Sequence, residues 1–136
     1  MTKKEPALCP FSKPIIGQWC QCEHARLSDR CAGKMLCRRK DELLPSCQAL
    51  VELLKQNSRF VIGITDEGME LTHAQTMKIR CGGLQGMQRL LQPGSGEPPK
   101  VRDIIAVTEK NYESLENFPF SDIIPDIQVF THRKKI

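Results

Sequence analysis

The chain has no long hydrophobic run. None of its apolar stretches approaches the roughly 20 residues needed to cross a bilayer, which argues against a membrane-spanning helix. The opening residues, Met-Thr-Lys-Lys-Glu-Pro-Ala-Leu-Cys-Pro, place Glu5, Pro6 and Pro10 where a secretory leader needs an unbroken apolar core. A cytoplasmic location without membrane association is the expectation. Aromatic residues make up only 5% of the chain, with one Trp (Trp19) and one Tyr (Tyr112), so the core must be aliphatic. Catalytic signatures are missing as well. There is no Cys-x-x-Cys redox pair, and Gly82-Gly83 and Gly94-Ser95-Gly96 lack the lysine of a phosphate-binding loop. The carboxylates show no spacing that suggests an acid–base pair. Together these absences lean away from an enzyme.

What is present is cysteine. Six of the seven, Cys9, Cys20, Cys22, Cys31, Cys37 and Cys47, fall within 39 residues. Core packing needs no such density. In a reducing compartment, which disfavours structural disulfides, it points to thiolates gathered around a metal or an iron–sulfur cluster. The odd total would also leave one cysteine unpaired in any all-disulfide scheme. Candidate ligands are Cys9, Cys20, Cys22, Cys31, Cys37 and Cys81. Cys20, Cys22, Cys31 and Cys37 are the densest group, with Cys9 and Cys81 joining from outside. Cys47 falls on the apolar stripe of a helix and serves as readily as a small core residue.

The spacings narrow the metal. Zinc knuckles use Cys-x2–4-Cys pairs, and Cys20-x-Cys22 is too tight for one. The bacterial ferredoxin run is absent, whereas a plant-type cluster takes one distant ligand. Cys81, followed by Gly82 and Gly83, suits that role, since backbone without Cβ atoms can approach a cofactor closely. An iron–sulfur cluster with an electron-transfer, redox-sensing or metalloenzyme-accessory role is the leading expectation, with zinc the alternative. His24 and Trp19 flank the cysteines. A histidine of this kind is more often a solvated or core residue than a ligand, and Trp19 reads as an anchor for the N-terminal segment.

Positive charge follows the cysteines. Residues 1–40 hold nine Lys/Arg against three Asp/Glu, while the remainder holds eleven against thirteen. Arg26, Arg30, Lys34, Arg38, Arg39 and Lys40 can offset anionic thiolates or contact phosphates. The second functional expectation is therefore a zinc-stabilised nucleic-acid or regulatory binding module using residues 24–40. That stretch lacks interleaved aromatics for base stacking. A protein partner is expected under the first reading.

Apolar residues at 40% and charged residues at 26% describe an ordinary folded domain. The expected fold is mainly α, or α+β with one short strand near 59–65, in a single domain spanning 1–136. Residues 1–40 form its irregular cysteine-rich part and residues 41–136 its helical core. Helices are predicted over 42–57 and 72–91, from Val101 to Tyr112, and from Ser121 onward. Three glycines inside the second, each costing about 0.8–1 kcal/mol relative to alanine, predict either a break at Cys81-Gly82-Gly83 or a close approach to the backbone.

Overall fold

The computed structural model describes residues 8–28, 33–63 and 71–130. Its elements run α1 (Ser12–Ile16), β1 (Ala25–Leu27), β2 (Met35–Cys37), α2 (Lys40–Ile62), α3 (His73–Leu91) and α4 (Val101–Tyr112). Two 3-10 turns, Leu115–Asn117 and Phe120–Ile123, lead into α5 (Ile124–Val129). The fold is mainly α with one short antiparallel hairpin, and β1 pairs β2 with Ala25 opposite Cys37, Arg26 opposite Leu36 and Leu27 opposite Met35. The expected strand near 59–65 is not formed over its described part. Arg59–Ile62 is the last turn of α2, which ends at Gly63 in the left-handed conformation at φ 84°. Asn57 does not end α2 either; its side chain donates to the Leu53 carbonyl at 2.8 Å and the helix continues. The basic run from His132 to Lys135 lies outside the described residues.

Helix α3 is the centre of the molecule. The sequence marks its start: Thr72 Oγ1 accepts the Gln75 N–H at 3.1 Å, and Gln75 Oε1 accepts the Thr72 N–H at 2.9 Å. This reciprocal box satisfies two backbone donors that a helix start leaves free. The helix does not break at Cys81-Gly82-Gly83. A Cβ on Gly82 would stand 2.8 Å from Ile127 Cα, and one on Gly86 would stand 2.6 Å from Ile123 Cβ. The glycines let α5 and the turn before it lie directly on α3. Helix packing thus accounts for the close approach predicted from sequence.

Burial on α3 exceeds one stripe. Met77, Cys81 and Leu84 are buried as the period predicts, yet Ile79 and Met87 are buried too, because α1, α2, α4 and α5 all contact this helix. A helix covered from several sides loses its polar face. Ala74, although apolar, is exposed in the first turn. The surrounding helices keep simpler patterns: Cys47, Leu50, Leu54 and Ser58 on α2, and Val101, Ile104, Ile105 and Thr108 on α4. Each fully buried aliphatic side chain here contributes on the order of 1.5–3 kcal/mol relative to exposure.

Candidate metal centre

The N-terminal segment is irregular in period but not in its attachments. Cys9 N–H donates to the Met35 carbonyl at 2.8 Å. The buried Ser12 hydroxyl donates to the Cys9 carbonyl at 2.6 Å and accepts the Met35 N–H at 2.9 Å. These bonds fix Cys9 against β2, the strand that ends in Cys37. A second tie lies further along. Gln21 N–H donates to the Pro99 carbonyl and Val101 N–H donates to the Gln21 carbonyl, both at 2.9 Å. Cys22 is thereby held at the start of α4, beside Arg102. Arg38 N–H donates to the His24 carbonyl at 2.8 Å, which carries the β1–β2 ladder on to His24.

These attachments bring four cysteines to one place. Cys9, Cys22, Cys37 and Cys47 line a single small cavity of about 10 Å³, with His24, Ala25, Leu43, Leu44, Val101 and Arg102 completing its wall. Of the six expected ligands, Cys9, Cys22 and Cys37 are there and Cys31 lies outside the described residues. Cys20 and Cys81 do not line this cavity, although Cys20 lies close enough to Cys9, Cys22 and Cys81 to interact with all three electrostatically. Cys20 is in the main core, and Cys81 sits with Met77 and Phe130 in a satellite cluster partly covered by Trp19. Trp19 meets Phe130 edge-on at 5.0 Å, which makes it an anchor for the N-terminal segment. The sequence also pointed to Cys47 as a core residue. It is one, at 5% exposed, and its thiol also faces the other three. The period that explains Cys47 as core concealed its second neighbourhood, which only the hairpin fold supplies.

The cavity is electrostatically biased toward anions. Arg102 Nη1 donates to Ser46 Oγ at 2.7 Å, to the Leu43 carbonyl at 3.3 Å and to Cys47 Sγ at 3.4 Å. Arg80, more than half removed from water, approaches both Cys9 and Cys81 and donates to the Pro10 carbonyl. Among the described residues neither arginine has a carboxylate partner. Backbone donors add to this. The Phe11 N–H bonds to the Cys9 sulfur, and the His24 and Ala25 N–H groups bond to the Cys22 sulfur. Donors of this kind stabilise a coordinated thiolate and orient it.

Burial makes these thiols resist ionisation. Burial pushes Cys9 up to about 12, with the neighbouring Cys47, Cys22 and Cys37 adding to the shift and the Phe11 N–H opposing it. Burial also raises Cys22 and Cys47, against the pull of Arg102. Cys81 is raised to about 12 by burial, with Arg80 opposing. Among the described residues no three His, Cys, Asp or Glu side chains are disposed to hold a single metal ion. A wider cleft of about 340 Å³, bordered by Gln21, Glu23, Lys100 and Asp103, shares Cys22 and Arg102 with the thiol cavity.

No protein-family model matches this sequence, and no curated protein or solved structure matches it significantly. Among the described residues no helix is long and apolar enough to cross a membrane.

Proposed function

We propose that Cys9, Cys22, Cys37 and Cys47 hold an iron–sulfur cluster, and that the protein serves electron transfer or redox sensing through it. The observation that carries this reading is the convergence of four thiols, from three separate parts of the chain, on one cavity walled by Arg102, with Arg80 near Cys9. Four cysteine thiolates are the usual ligand set of such clusters, and the arginines offset the negative charge that thiolate ligands bring. Zinc would need four sulfurs drawn to about 2.3 Å from a single point. The same four thiols are the donors that a structural zinc would use, which keeps zinc as the alternative.

The cavity now has room for about one water molecule. Loading therefore requires the Cys9 loop and the β1–β2 hairpin to part from α2 and α4. The ladder between the strands is only three residues long. The raised thiols must also lose their protons, so loading couples to pH. The test is iron and acid-labile sulfide on protein reconstituted without air. Stoichiometric iron with matching sulfide supports the cluster; zinc alone supports the structural alternative; neither metal removes the reading.

A further inference from the structure

Cys22 borders two spaces at once. It lines the thiol cavity with Cys37, and it also lines the open cleft of about 340 Å³ with Glu23, Lys100, Arg102 and Asp103. The backbone keeps Cys22 and Cys37 together. Ala25 N–H donates to the Cys22 carbonyl at 3.2 Å, closing a turn that holds the two Cα atoms within about 7 Å of each other. Ala25 stands directly opposite Cys37 in the β1–β2 ladder, where facing Cα atoms are roughly 4.5–5.5 Å apart. Both side chains reach the same void of about 10 Å³. Each is a free, partly exposed thiol. The other two cavity thiols are engaged differently: Cys47 is buried and accepts from Arg102 at 3.4 Å, and Cys9 attaches to Met35 instead of the Cys22 turn.

The cleft beside Cys22 offers charge of both signs. Lys100 and Asp103 are exposed, and among the described residues neither has an ion-pair partner. Both also line a second open cleft of about 540 Å³ that continues past Gln88 and Ser95. Spaces of this size suit a small molecule. We propose that Cys22 and Cys37 are a thiol–disulfide exchange pair, acting on a small disulfide that carries both carboxylate and ammonium groups. Lys100 and Arg102 would face its carboxylates, and Glu23 and Asp103 its ammonium groups. The pair needs no metal, so it does not rest on the cluster reading. In the first step the Cys22 sulfur attacks one sulfur of the small disulfide. That S–S bond breaks, and the first small thiol leaves with the Cys22 proton. The Cys37 sulfur then attacks the Cys22 sulfur of the mixed disulfide, and the second small thiol leaves with the Cys37 proton. The protein is oxidised by two electrons to a disulfide, and the small disulfide is reduced to its two thiols.

The test uses the full chain, reduced, freed of metal by a chelator and mixed without air with glutathione disulfide. Peptide mapping of wild type should find a Cys22–Cys37 bridge, with both halves of the reagent released as glutathione. Cys37→Ser should stop with glutathione bound at Cys22, and Cys22→Ser should react at least about tenfold more slowly. In Lys100→Glu the preference for glutathione disulfide over uncharged hydroxyethyl disulfide should fall about threefold. A bridge between any other cysteines, a wild-type chain that keeps all its thiols, or Cys22→Ser reacting at wild-type speed overturns the pair. An unchanged preference in Lys100→Glu overturns the cleft as the place where the disulfide binds. Every arm is metal-free, so a failed bridge leaves the cluster reading standing, and failure to load iron leaves the bridge standing.

Discussion

Arg102 on α4 donates from one nitrogen to the sulfur of Cys47 on α2 at 3.4 Å, and from the same nitrogen to Ser46 Oγ at 2.7 Å. One guanidinium thereby joins two helices at the wall of the thiol cavity. Replacement by Met keeps much of the packing and removes the donors. Arg102→Met should cost the metal-free protein about 1–3 kcal/mol, the range for leaving partly buried acceptors unpaired, read from urea unfolding. It should also speed loss of bound iron to a chelator. Arg102→Lys, which restores charge but not the fork geometry, should recover part of the retention. Equal chelation rates for Arg102→Met and wild type would show that Arg102 serves helix packing alone.

The buried thiols make the metal-free protein sensitive to alkali. Cys9 and Cys81 are raised to about 12 in the fold by burial, above their ordinary value near 9. Below pH 9 these thiols are protonated in both folded and unfolded chains, so their contribution to stability is fully present. Above it the unfolded chain ionises first, and stability falls as pH rises toward 12. Melting temperature should therefore decline across pH 9 to 11. A flat profile there would mean that the thiols are not buried as described.

Iron loading should show the opposite preference. Binding must displace protons from Cys9, Cys22 and Cys47, all raised by burial, so apparent affinity should rise with pH between 6 and 9. Titration in a weakly buffered solution should record at least three protons released per centre.

The glycines of α3 give a test of packing. Gly86→Ala would press a methyl to 2.6 Å from Ile123 Cβ, and Gly82→Ala would press one to 2.8 Å from the backbone at Ile127. Each should destabilise by about 1–3 kcal/mol through overpacking, despite alanine's better helix propensity. Gly83→Ala meets the methyl carbons of Leu54, the nearest at 2.7 Å, which can rotate away, and should cost less than about 1 kcal/mol. Chemical denaturation reads all three. Gly83→Ala should also retain iron, since α3 does not line the thiol cavity.

Much of the helical framework was legible because its signals are local. The Thr72–Gln75 box, the i, i+3, i+7 burial on α2 and the Val101, Ile104, Ile105, Thr108 stripe all act within a few residues. The hairpin was not, since three-residue strands carry too little alternation to register as a period. Arg59–Ile64 looked like a strand through its β-branched residues, but Val61 and Ile62 simply extend a helix already begun. The thiol cavity was half legible for the same reason. Cysteine density marked the segment, whereas the presence of Cys47 in its wall, and not Cys20 or Cys81, depends on contacts between Cys9 and β2, and between Gln21 and α4, that no spacing encodes.

The most direct test compares iron and acid-labile sulfide in wild-type protein with those in Cys9→Ser, Cys22→Ser, Cys37→Ser, Cys47→Ser, Cys20→Ala and Cys81→Ala, all reconstituted without air. Matched iron and sulfide in wild type, loss in each of the first four, and retention in Cys20→Ala and Cys81→Ala is the expected result. Retention in the first four, or loss confined to Cys20→Ala and Cys81→Ala, would place the centre elsewhere and contradict the four-thiol site.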